Sequence, residues 1–181
     1  MKSILMSIKP YYGFLIIAKA KGWDLKKYGL HEKTVEVRKG VPTSTAWNKK
    51  SALYFSKDKK SLARVPEEYR GEVAKLCGKI VCEFVCDYID EVFSYGTFLR
   101  TCLSEKELEN YLKNSDGYGW HISDLKIYDK SKELGEFTRF QEKHCKERDC
   151  TNCNKHYVPI GYCEKVKINR PPQSWCYVEE L

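Results

Sequence analysis

Lys33-Thr34-Val35-Glu36-Val37-Arg38 is the stretch on which the reading of this chain turns. Successive side chains of an extended segment alternate between faces, so Val35 and Val37 fall on one side and Thr34, Glu36 and Arg38 on the other. The pattern predicts a half-buried strand with a charged face. A guanidinium and a carboxylate on that face suit a planar polar ligand such as a nucleobase. Arg38 would clamp a phosphate or carbonyl with its rigid fork, and Glu36 would accept from an exocyclic amine.

Working outward, Lys2 to Ile8 reads as a first strand. Pro10 suits the opening turn of a helix, along which Tyr11, Phe14, Leu15 and Ala18 recur at helical spacing. Residues 22–31 read as an excursion before the Thr34–Arg38 strand. Ala52-Leu53-Tyr54-Phe55 predicts a further strand, and residues 61–77 predict a helix that Pro66 interrupts. Between Lys79 and Asp87, Ile80, Cys82, Phe84 and Cys86 share one face, which makes both cysteines core residues. Ser104-Glu105-Lys106-Glu107 is a capping box opening a helix through Leu112. Gly117 to Ile122 turns into a strand ending near Tyr128, residues 131–137 suit a helical turn or two, and Trp175 to Val178 form a last strand. Strands outnumber long helices without βαβ alternation. The expected fold class is α+β, a small and mostly antiparallel β-barrel with flanking helices, in one domain over residues 1–181.

The 181 residues are 42% hydrophobic and 13% aromatic, which argues for a folded chain. No run approaches the ~18 apolar residues of a membrane span. The opening Met1 to Ser7, soon interrupted by Lys9-Pro10, is too short for a signal peptide. With nine cysteines and no export signal, a reduced, cytoplasmic state is expected. The net charge of +7 is uneven: residues 1–60 hold fourteen Lys and Arg against four Asp and Glu, whereas the remainder is slightly acidic. A basic half is the electrostatic footprint of a phosphate-binding surface.

The Ser7-Ile8-Lys9-Pro10 opening, the helix after it and the Lys33–Arg38 strand resemble the start of an ASCH domain, a branch of the PUA-like fold. The Gly78-Lys79-Ile80-Val81 strand, the Tyr118-Gly119-Trp120-His121-Ile122 segment and the closing residues 171–178 resemble a version found in bacteriophages and their hosts. The resemblance implies a five- or six-stranded pseudobarrel with a cleft beside the first helix, where PUA-like relatives bind RNA or modified bases. Some ASCH members are acetylcytidine amidohydrolases that use a lysine, a threonine and a glutamate. Their lysine falls on Lys33 and their arginine on Arg38, but Glu36 stands where they carry the threonine.

The expected ligand site combines Lys9, Lys33, Glu36 and Arg38 with Trp120 and Trp175, whose loop-to-strand junctions suit stacking on a base. The ligand would be RNA or a modified nucleotide. An enzymatic alternative, a nucleoside or nucleotide amidohydrolase or a ribonuclease, would work from Lys33, Glu36 and Glu83. A third reading is a phage interaction protein that blocks a host factor or sequesters a nucleotide signal. Separately, Cys145, Cys150, Cys153 and Cys163 have the spacing C-x4-C-x2-C-x9-C in a loop at 140–168. The inner pair matches a metal-binding knuckle, and four thiolates would make a closed, structural zinc site.

Overall fold

The computed structural model describes residues 2–42, 49–94, 96–145 and 161–179, with the backbone alone at 2, 49, 140–145 and 161–164. The chain begins with β1 (Lys2–Ile8) and α1 (Pro10–Ile17), followed by β2 (Val35–Arg38) and β3 (Lys49–Phe55). Next come α2 (Lys59–Ala63), α3 (Glu67–Leu76), β4 (Ile80–Cys86), β5 (Ile89–Glu91), α4 (Thr97–Arg100) and α5 (Glu105–Leu112). The last third holds β6 (Tyr118–His121), β7 (Ser123–Lys132), β8 (Thr138–Cys145), β9 (Gly161–Lys167) and β10 (Trp175–Glu179).

The fold class is α+β and its strand pairing is mostly antiparallel. Among the described residues the strands form three sheets, ordered β10-β1-β3-β4-β7, β2-β6-β5 and β8-β9, and the ladders do not close into a ring. The β1–β3 pair is parallel, with α1 in the connection between them.

Pro10 opens α1 at its first turn, where its missing N–H leaves no bond unmade. The helix is buried on two sides: Phe14, Leu15 and Ala18 pack with Val65 and Val73 of the helical layer, while Ile16 and Ile17 face Leu53, Phe55 and Phe84 of the large sheet. Gly13 makes this approach possible, because a Cβ there would clash with the far edge of the Phe55 ring. Pro66 divides the 61–77 segment into α2 and α3. The Ser104 capping box forms with both reciprocal bonds.

Three strand expectations change. All four residues of β2 are buried, not half of them. Val37 packs with Val92, Leu108 and Leu112, while Glu36 and Arg38 turn towards β1 and α1. In β4 a register shift leaves Val81 as an extra residue between the Leu53–Cys82 and Tyr54–Ile80 pairs. Ile80 therefore leaves the face shared by Cys82, Phe84 and Cys86 and packs with Leu5, Ala52 and Tyr54. The expected strand over residues 118–128 is also divided: β6 is the centre of the three-stranded sheet, and β7 is an edge of the five-stranded one.

Candidate functional site

A cleft of about 790 Å³ opens where the end of β1, the start of α1, β2, the end of α2, α5 and the Pro171–Gln173 turn meet. This volume is within the range of pockets that take a small molecule. Its lining carries six cationic side chains, Lys9, Lys33, Arg38, Lys39, Arg64 and Lys113, against the anionic Glu36, Asp58 and Glu107.

The floor is a buried row of ions. Lys33 Nζ, on a residue only 2% exposed, donates to the carbonyls of Val35 at 2.7 Å and Thr101 at 2.6 Å. It also pairs with Glu36 Oε2 at 3.2 Å. Burial pushes the Lys33 pKa below the ordinary lysine range, with Glu36 pulling the other way. Three acceptors nevertheless match the three N–H bonds of an ammonium, which holds the proton in place. Arg38 Nη2 bonds the other carboxylate oxygen of Glu36 at 3.0 Å and the Ser7 carbonyl at 2.7 Å. Arg38 Nε is buried with no partner among the described residues. One carboxylate thus lies between two cations, leaving the row with an excess positive charge.

The wall comes from three helical elements. The Tyr12 ring lies 5.4 Å from Lys33 Nζ and so covers the ion row. Its hydroxyl donates to Glu107 Oε1 at 3.0 Å and accepts from Arg64 Nη1 at 3.3 Å. Arg64 also pairs directly with Glu107 at 2.8 Å. Burial and the Glu107 carboxylate push the Tyr12 phenol up to about 12 against the pull of Arg64, so it stays a donor at neutral pH. For Glu107 burial alone would raise the pKa. Bonds from the Ser104 N–H and hydroxyl and from Tyr12, with the Arg64 charge, bring it below the ordinary carboxylate range.

Of the residues singled out in the sequence, Lys9, Lys33, Glu36 and Arg38 line this one cleft. Trp120 and Trp175 do not. Trp120 lies opposite Glu36 in the β2–β6 ladder, but β6 is paired with a strand on each edge, and the indole is fully buried in the core. Trp175 starts the edge strand β10 and packs at 5.7 Å from Trp120 and 5.5 Å from Tyr177. Trp120 has no free ring face to offer a base, and Trp175, partly exposed, lies outside the lining of the cleft. Glu83 is also elsewhere: it sits on β4, accepts from the Tyr128 hydroxyl at 2.9 Å and does not line the cleft.

Part of the basic first third is neutralised by acidic residues of α3. Lys21 and Lys27 pair with Glu72 and Glu68, because α3 brings its acidic residues over the 21–28 excursion. The residues missed in the sequence are Tyr12, Arg64, Glu107 and Lys113. Each reads locally as an ordinary helix residue, and only the packing of helices distant in sequence brings them to one wall.

Cys145 ends β8 and Cys163 lies in β9, whereas Cys150 and Cys153 lie outside the described residues. Among the described residues no group of three or more His, Cys, Asp or Glu side chains could hold a metal ion.

The arrangement of these elements has counterparts among solved structures. The crystal structure of an ASCH protein from Zymomonas mobilis matches 97% of this chain and 86% of its own, with a TM-score of 0.51 at 14% identity. The chain has an ASCH fold. A tyrosine-to-phenylalanine variant of the Zymomonas mobilis protein matches 98% of this chain and 90% of its own, with a TM-score of 0.51 at 14% identity. A serine-to-alanine variant matches 97% of this chain and 87% of its own, with a TM-score of 0.53 at 13% identity. No protein-family model matches the sequence, and no curated protein matches it. The ASCH fold thus emerges from the backbone arrangement at very low sequence identity. No helix among the described residues is long and apolar enough to cross a membrane.

Proposed function

We propose that this ASCH-fold chain binds RNA or a modified nucleotide in the cleft above the Lys33–Glu36–Arg38 row. The ion row is the observation that carries the reading. Buried ion pairs are poor stabilisers compared with packed apolar side chains, so a cationic row retained on a cleft floor fits recognition of an anionic, hydrogen-bonding ligand. Glu36 has one cation on each carboxylate oxygen, which leaves lone pairs for donors such as an exocyclic amine.

Binding is favoured over the amidohydrolase or ribonuclease alternative. Lys33 has an acceptor for each ammonium hydrogen, which suits a support for Glu36 better than a nucleophile or base. Glu83, the third residue of the catalytic set, is engaged by Tyr128 away from the cleft. The test is a titration of a labelled single-stranded RNA and the four nucleoside 5′-monophosphates. Saturable binding is expected, and Glu36→Gln should change which base is preferred more than the overall affinity, since the amide adds a donor where only acceptors stood. No binding of any of these ligands, or a base preference indifferent to Glu36, would count against the reading.

A second reading, an interaction protein that blocks a host factor, draws on Tyr88, Phe93 and Leu99. These are 52%, 69% and 71% exposed, and none lines the cleft.

We also propose one structural zinc on Cys145, Cys150, Cys153 and Cys163. The antiparallel β8–β9 pairing supports it by bringing the two outer cysteines to the same end of a ribbon. Cys145 is opposite Gly161, and Cys163 is two residues further along β9. Zinc bound there would supply tetrahedral cross-linking and leave no open position for a reactive water. Elemental analysis should find about one zinc per chain, and Cys150→Ser should lose it while the large sheet stays folded. Metal-free protein with four freely titrating thiols would refute the site.

A further inference from the structure

The cleft contains two arginines in very different settings. Arg38 is 5% exposed and tied to the Ser7 carbonyl and Glu36. Moving it would leave a buried carboxylate short of a partner. Arg64, at the end of α2, has a side chain 44% exposed at the mouth of the same cleft. Its guanidinium carbon sits 4.1 Å from the centre of the buried Tyr11 ring, so the planar group has a fixed aromatic base beneath it. The polar contacts of Arg64 across the mouth are Glu107 at 2.8 Å and the Tyr12 hydroxyl at 3.3 Å.

Glu107 does not depend on Arg64. Its Oε2 accepts from the Ser104 N–H at 2.9 Å and the Ser104 hydroxyl at 3.0 Å, and its Oε1 accepts from Tyr12 at 3.0 Å. If Arg64 left, the carboxylate would keep three donors. The pair between Arg64 and Glu107 is also partly exposed, a setting in which ion pairs are weak and exchange readily. A phosphate offers the same planar fork more charge and more acceptor oxygens than one shared carboxylate oxygen does.

We propose that Arg64 binds the 5′-phosphate of a nucleotide held in the cleft, and that Glu107 holds its guanidinium until that phosphate takes the place of the carboxylate. The inference rests on the nucleotide-binding reading above. It adds the residue that distinguishes a nucleotide from the corresponding nucleoside. Tyr12, which keeps its bond to Glu107 throughout, positions the carboxylate without touching the phosphate.

The test uses calorimetric titration of the full chain with the four nucleosides and their 5′-monophosphates. Arg64→Ala should weaken monophosphate binding by tenfold or more while leaving nucleoside binding unchanged, as expected for loss of a hydrogen bond to a charged group. Glu107→Gln should tighten monophosphate binding about two- to fivefold, the range set by removing a weak competing ion pair. Glutamine at this position still completes the capping box, so α5 is preserved. In the Arg64→Ala background the gain from Glu107→Gln should vanish. Equal effects of Arg64→Ala on nucleosides and monophosphates, or no effect on either, would overturn the assignment while leaving the binding reading intact. Failure of the unmodified chain to bind any nucleoside or nucleotide would instead bring down the binding reading, and this inference with it.

Discussion

Glu36→Ala should lower the stability of the chain by about 3–5 kcal/mol, the range seen when one partner of a buried charge network is removed. The side chain is only 10% exposed and stands between Lys33 Nζ and Arg38 Nη2. Without it two cations face one another in a poorly hydrated space. Their remaining partners are backbone carbonyls of Val35, Thr101 and Ser7, which carry no formal charge. In a chain of this size the loss corresponds to a melting temperature lower by roughly 6–20 °C. A second change separates this account from simple cavity formation. Adding Arg38→Met to Glu36→Ala should restore part of the lost stability, because it removes one of the two unpaired cations. A cavity alone would make the double variant no more stable than the single one. Thermal and urea unfolding of the three proteins measure the difference.

Lys9→Gln, Lys39→Gln and Lys113→Gln together should reduce affinity for single-stranded RNA about a hundredfold at ~0.1 M salt, on the order of 0.7 per phosphate contact in the slope of log K against log salt. The three side chains line the cleft, and Lys39 directly follows Arg38 of its floor in sequence. Three lost phosphate contacts should lower the magnitude of the salt slope by about 2. Changing Lys26 and Lys27 to glutamine should do much less, since Lys27 already pairs with Glu68 on α3. Equal losses from the two sets would mean that net charge, and not the cleft, attracts the RNA.

What the sequence revealed, and what it hid, follows the range of the interactions involved. The β2 strand, the Pro10 helix start and the Ser104 capping box are local patterns, and each forms over the expected residues. Glu36 and Arg38 share a face of β2 through their i, i+2 spacing, whereas Lys33 precedes the strand at the opposite parity and reaches Glu36 from the segment before it. The burial of that row was not legible. Nothing within the segment says that α1 and the Thr101 turn close over it. Trp120 misled for the same reason: a glycine before a tryptophan looks like a loop junction, but β6 is the central strand of its sheet. The helical wall was the least visible part. Tyr12 and Glu107 are 95 positions apart, and Arg64 meets both only when α2 docks beside α1. The β4 bulge is another tertiary effect, set by the register with β3 and silent in the alternation of residues 80–86.

The most direct test of the central claim is a map of backbone amide chemical shifts in isotope-labelled protein during titration with the nucleoside monophosphate that binds best. The account predicts progressive, saturable shifts at Lys9, Tyr12, Glu36, Arg38, Arg64 and Gln173, all around one cleft. Shifts confined to the exposed Tyr88, Phe93 and Leu99, with those cleft residues unmoved, would contradict it.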